Sequence, residues 1–310
     1  MQPIIIIVLL FFSGCLENPD YYYKRGNNFF INGDYYKALE MYTKALLIKP
    51  DFADALVSRA MTYEKMGNKN KAIDDYSKAI SVNPKYLPAY NNIASIYIES
   101  SLYKEALYYI NKAIEINPDY YYAYYNRGLI NYYTKNFYQA ILDFTKAISI
   151  SPKDIAFYYR SLCYEKIKDY SKAIKDLDEI KEKSNSDVIY YHSARIKFES
   201  GESSGFEDIS KAIELKEKHG YYYLRARINL KANKLEEALE DINRAIKLAG
   251  VSNYKYFYYA GDIYFLKGDK ESAKKYYDMA LNIAPQSSDE YKLKIEKLKD
   301  RLNKKYGRRK

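Results

Sequence analysis

A proline recurs every 34 residues in the first half of this chain, at Pro50, Pro84, Pro118 and Pro152. Each closes a segment with alanines at two fixed offsets. Ala45, Ala79, Ala113 and Ala147 lie five residues upstream, and Ala38, Ala72, Ala106 and Ala140 lie seven before those. A fixed period of this length means stacked copies of one unit, each contacting its neighbours, and argues against a globular domain built around one active site. The unit reads as two helices. In the fourth copy Tyr124, Gly128, Asn131 and Tyr132 belong to a first helix. Ala140, Phe144, Ala147 and Ile148 recur at i, i+4, i+7 and i+8 as the apolar stripe of a second. Small residues at Gly128, Ala140 and Ala147 let the helices approach closely. Pro152 ends the second helix, because proline has no N–H and drives the preceding residue out of the helical region.

These residues resemble the tetratricopeptide repeat: a large apolar residue, a small one, an aromatic, Ala, aromatic, Ala and Pro at set offsets. The first copy matches through Tyr22, Gly26, Phe29, Ala38, Tyr42, Ala45 and Pro50, the second through Leu56, Ala60, Tyr63, Ala72, Tyr76, Ala79 and Pro84. The eighth is as regular, through Phe257, Gly261, Tyr264, Ala273, Tyr277, Ala280 and Pro285. The fifth and sixth drift: Ile180 replaces an alanine, Asn185 a proline, and Gly205 stands at the mid-repeat alanine. The resemblance implies an all-α, right-handed superhelical solenoid of about eight helix-turn-helix units over 19–285, closed by a capping helix and basic tail at 286–310. Tyr291, Ile295, Leu298 and Leu302 form the expected apolar face of that cap. The weakest stacking is expected around Lys183–Ser186 and Gly201–Gly205.

Residues 1–14 read as a signal peptide of lipoprotein type. The nine apolar residues from Ile4 to Phe12 are too few to span a bilayer, which needs about 20. Ser13-Gly14-Cys15 resembles a bacterial lipobox, which implies cleavage before Cys15, a diacylglycerol on its thiol, and residues 15–18 as a short tether. The expected location is a bacterial cell envelope, inner or outer membrane, with the repeats in the periplasm or outside. An intracellular adaptor with a mis-assigned start is the competing reading.

The formal charge is +10, of which +6 lies in the tail from Gln286, where ten Lys/Arg face four acids. The repeats are therefore near balance and lack the basic stripe that nucleic-acid binding requires, so no nucleic-acid partner is expected. The carboxylates lie among lysines and read as solvated. No metal-ligand, phosphate-loop or nucleophile motif is present, and neither a cofactor nor a metal is expected. With two histidines, the one conceivable dyad is Cys163–His192. A helix interior without an orienting acid argues against it, so the chain reads as non-catalytic.

The informative excess is 40 tyrosines in 310 residues. In the repeat family the first helix presents its second, fifth, ninth and twelfth positions to a concave groove. The fifth positions here are Tyr23, Val57, Asn91, Tyr125, Tyr158, Tyr191, Tyr223 and Tyr258. Tyr122 and Tyr132 add to the fourth unit, and Arg195 and Arg227 take ninth positions. Asn126 is placed to hold a peptide backbone. The expected partner is an unidentified protein or extended peptide bound in a Tyr-lined groove, because tyrosine gives large contact area at small entropic cost and Tyr and Arg dominate binding hot spots. Two other readings stand beside it. The rings pack on neighbouring helices, or they stack on a cell-wall glycan, with Asp262 beside Tyr258 as a polar flank.

Overall fold

A computed structural model describes residues 18–283, except 203, 251 and 252, together with Lys292, Leu293, Ile295, Glu296 and Asp300. The expected signal peptide, Cys15 and most of the 286–310 cap lie outside the described residues. Among those described there are 16 helices and no strand. They fall into two compact units, divided between Ser151 and Pro152. The first unit holds α1 (Pro19–Ile31), α2 (Tyr35–Ile48), α3 (Ala53–Lys65), α4 (Lys69–Val82), α5 (Leu87–Glu99), α6 (Tyr103–Ile116), α7 (Tyr121–Tyr133) and α8 (Phe137–Ile150). The second holds α9 (Asp154–Lys166), α10 (Tyr170–Ser184), α11 (Asp187–Ser200), α12 (Gly205–Leu215), α13 (His219–Lys231), α14 (Leu235–Ala249), α15 (Tyr254–Leu266) and α16 (Lys270–Ile283). Within each unit every odd-numbered helix pairs with the helix that follows it, and that second helix packs on the next first helix.

The proline rule acts as expected. Lys49, Asn83, Asn117 and Ser151 each precede a proline and each is extended, with φ from −130° to −151° and ψ from 88° to 113°. Steric conflict with the proline ring removes the helical conformation there. The proline is missing after α10, α12 and α14. α10 and α14 run one residue longer and end at positive-φ residues, Asn185 at 43° and Gly250 at 67°, whereas α12 ends at the extended Lys216.

Small residues on the first helix set the helix–helix distance. A Cβ on Gly26, Gly128 or Gly261 would lie 2.5, 2.7 or 2.6 Å from the ring of Tyr42, Phe144 or Tyr277 respectively. Those rings are fully buried and fill the space the missing side chain leaves. Asn18, at the end of the expected tether, caps α1 by accepting a hydrogen bond from the Asp20 amide at 2.8 Å. Ile295 is buried with Phe257, Tyr258 and Tyr277, whereas Tyr291, Leu298 and Leu302 lie outside the described residues.

The region where the weakest stacking is expected, around Lys183–Ser186 and Gly201–Gly205, carries an ionic cluster. The Lys197 ammonium donates to Asp208 at 2.7 Å and the Ser193 hydroxyl donates to it at 2.6 Å. Lys181 reaches from α10 to the same carboxylate at 3.4 Å. The division between units lies one repeat earlier.

Candidate functional site

In the first unit the expected site residues cluster on α7. Tyr122 is exposed, tilted against Tyr120 and edge-on to Tyr121. Tyr125 is half-buried, stacked on Tyr121 at 5.8 Å between centroids and tilted against Phe144. Tyr132 is half-buried beside Tyr133 and Phe137. Asn126 does not hold a free amide toward a ligand. It is 5 % exposed, and its Nδ2 donates to Asn91 Oδ1 at 2.8 Å and to Ser95 Oγ at 3.4 Å. Its side chain fastens α7 to α5, because an amide buried without partners would cost more than the contact returns.

Above that bridge a cavity of about 500 Å³ opens between α5 and α7. Ser95, Ile98 and Glu99 line one side, Tyr125, Leu129 and Tyr133 the other, with Tyr103 at the end. The mixture of rings, aliphatic groups and a few hydroxyls is the usual lining of a site that buries side chains.

In the second unit the fifth-position tyrosines reach the next first helix. Tyr158 lies 2.9 Å from His192 Nε2. Tyr191 stacks on Tyr221 at 4.9 Å. Tyr223 meets Tyr256 at 4.9 Å and the edge of Tyr259 at 5.3 Å. These three rings, each half-buried, act as spacers between successive first helices. Tyr258 corrects the expected site more sharply. It is 3 % exposed and packs on Tyr277, so it belongs to the core. Asp262 accepts a hydrogen bond from the Tyr277 hydroxyl at 2.8 Å, which removes the polar flank that favoured a glycan.

The two arginines are also committed. Arg195 makes a bidentate pair with Glu165 at 2.7 and 2.6 Å, joining α11 to α9. Arg227 lies 4.7 Å from the Phe198 ring centroid, with Tyr223 and Tyr259 farther out and Glu199 at 3.8 Å.

The geometry does not support nucleophilic chemistry at Cys163. Its side chain is fully buried, and burial pushes the thiol up to about 12. His192 is held down to about 4, first by burial and then by the Arg195 charge, with Glu165 opposing. Arg195 lies 3.1 Å from Nδ1 and arginine can only donate, so Nδ1 accepts and Nε2 carries the proton toward the Tyr158 hydroxyl. Among the described residues no group of side chains could hold a metal ion, and no helix is long and apolar enough to cross a membrane.

Profiles of the tetratricopeptide repeat match residues 19–52, 53–86, 88–120 and 121–154, then 155–186, then 223–288. The chain belongs to the tetratricopeptide-repeat family. A tetratricopeptide repeat protein of known structure from Parabacteroides merdae superposes over 82 % of this chain and 98 % of its own, with a TM-score of 0.54 and 22 % identity, a likeness of fold. The protein TTC0263 of Thermus thermophilus covers 58 % of this chain and 99 % of its own at 20 % identity and a TM-score of 0.48. The TPR repeat-containing protein MJ1428 of Methanocaldococcus jannaschii is 34 % identical over 119 residues, 37 % of this chain. That match spans 21 % of the relative's length.

A recurring ion pair lies apart from the expected groove residues. Arg59–Asp75, Arg127–Asp143, Arg160–Asp176 and Arg225–Asp241 each join the two helices of one repeat at 2.7 Å, sixteen residues apart. The four aspartates are 2–5 % exposed, so these carboxylates are not on solvated faces as expected. Arg and Asp sixteen apart in four repeats was the available signal.

Proposed function

We propose that the chain is a non-catalytic scaffold that holds an extended segment of a partner protein. The observation that carries this is the cavity between α5 and α7, where Tyr125, Leu129 and Tyr133 face Ser95 and Ile98 across space large enough for side chains. Its rings are braced by α7 itself and by the buried Asn126 bridge. A prearranged aromatic surface binds without losing side-chain freedom. The apolar segment 4–12 followed by Ser13-Gly14-Cys15 supports a further part of the proposal, that a lipid on Cys15 anchors the scaffold to a bacterial envelope membrane. Partner binding is tested by placing a photo-crosslinking phenylalanine analogue at Leu129 of the full chain in its native cell. One dominant protein adduct is expected, lost when Tyr125→Ser is added with helicity unchanged. Adducts no more selective than those from an exposed position such as Lys104 would sink the reading. Anchoring is tested separately: Cys15→Ser should release the protein from the membrane fraction, whereas an intracellular adaptor would be in the soluble fraction before the change.

A further inference from the structure

The sixth repeat departs from its neighbours at one place. Seven of the eight second helices begin three residues before the mid-repeat alanine, as α6 begins at Tyr103 ahead of Ala106. In contrast, α12 begins at Gly205, the equivalent of that alanine, and is 11 residues long where the others have 14 or 15. Its first turn is missing. Gly205 also lies against α11, where a Cβ would come 2.9 Å from the Ala194 carbonyl oxygen.

The third and fourth repeats show what that turn does elsewhere. There the first residue of the second helix, Tyr103, stacks on Tyr133 of the next first helix at 6.5 Å with the planes 13° apart. Tyr133 follows Tyr124 by nine residues, as Lys231 follows Tyr222, so Lys231 holds the matching place in the seventh repeat. Glu202, outside the helix, stands in the place of Tyr103. Beside it is a slot of about 370 Å³ walled by Phe198, Phe206, Ile228 and Ala232. Phe206 is 39 % exposed although it lines an apolar space.

The rim is cationic. Lys231 lies over the Phe198 ring at 5.3 Å and Lys234 over Phe206 at 5.6 Å. Both are exposed, and neither has a carboxylate within ion-pair distance among the described residues. Of the nearby acids, Glu199 faces Arg227 at 3.8 Å, and Glu202 lines the slot with the Ser200 hydroxyl 3.4 Å away.

We propose that this slot is a docking site for an acidic peptide segment of a partner protein. One large apolar side chain enters between Phe198 and Phe206, and flanking carboxylates meet Lys231 and Lys234. Apolar burial supplies the anchor, and the two ammonium groups select the sign of the flanks. The site lies in the second unit, apart from the α5–α7 cavity, and stands or falls independently of it.

The chain contains no tryptophan, so indole fluorescence reports on a peptide alone. The probe is a short peptide with a central Leu-Trp pair flanked by three glutamates on each side, titrated with the full chain. Saturable binding is expected, unaffected by Tyr125→Ser and weakened roughly tenfold or more by Lys231→Glu with Lys234→Glu, each reversal replacing an attraction with a repulsion. Phe206→Ser, which removes apolar contact and leaves the charge, should weaken it as well. Helicity measured by circular dichroism confirms that each variant folds. No saturable binding, equal binding of the lysine-flanked peptide, or full binding by the charge-reversed variant would overturn the proposal.

Discussion

His192 shows how position rewrites a side chain's chemistry. Burial and the Arg195 charge lower its folded-state value to about 4, whereas an unfolded histidine titrates at its ordinary 6.5. The unfolded chain therefore takes up a proton first as pH falls. The stability this residue contributes is complete above pH 6.5 and is lost as the pH drops toward 4. Urea midpoints measured across that window should fall in the wild type and fall less steeply in His192→Gln; parallel profiles would refute this. Backbone conformation makes the same point. All eight turns between the helices of a repeat carry a positive-φ residue, from 58° at Asn233 to 94° at Gly201. Glycine announces four of them, at Gly33, Gly67, Gly201 and Gly268. Asn233 marks a fifth, since asparagine tolerates this conformation, and Ser101, Lys135 and Lys168 occupy the other three without a sequence signal, because the packed helices on either side impose the conformation.

At the level of the element, the second helices are ended by three means and held to the first helices by two more. Proline follows α2, α4, α6 and α8, left-handed or glycine caps end the longer α10 and α14, and α12 stops at the extended Lys216. Ring-into-glycine packing and the Arg–Asp pairs then join helix to helix. The pairs are costly to break and inexpensive to replace, because a lone buried charge loses solvation without compensation. Asp176→Ala takes the carboxylate from the Arg160 guanidinium, of which 15 % of the side chain is exposed, and should cost about 3 kcal/mol of unfolding free energy. Replacing both partners, Arg160→Met with Asp176→Leu, should return stability to within about 1 kcal/mol of the wild type. A double variant as unstable as the single one would contradict this.

Across the whole molecule, cohesion is local. Contacts run between neighbouring helices, and the buried core forms separate clusters along the chain. Damage should therefore stay near its origin. Gly128→Ala places a methyl group 2.7 Å from Phe144 and should cost about 1–3 kcal/mol as overpacking. Hydrogen exchange should quicken in α7 and α8 and stay unchanged in α13 and α14. A uniform rise through both units would show that the chain unfolds as one body.

The period, the helix pairing and the packing residues were legible in the sequence because they depend on neighbours at fixed offsets. Proline ends a helix wherever it stands, and a small residue opposite a ring admits that ring. The exposure of the tyrosines was not legible. Tyr125, Tyr158, Tyr191, Tyr223 and Tyr258 share one register, yet Tyr258 lies in the core and the other four are half-buried, braced by different partners. Which rings meet solvent depends on the residue that an adjacent repeat places beside them. Asn126 and Arg195 read as ligand contacts until Asn91 and Glu165, 35 and 30 residues away, proved to hold them. The slot beside Lys231 was hidden for the converse reason. Its walls come from Phe198 on α11, Phe206 on α12 and Ile228 on α13, and only the packed helices bring those residues together.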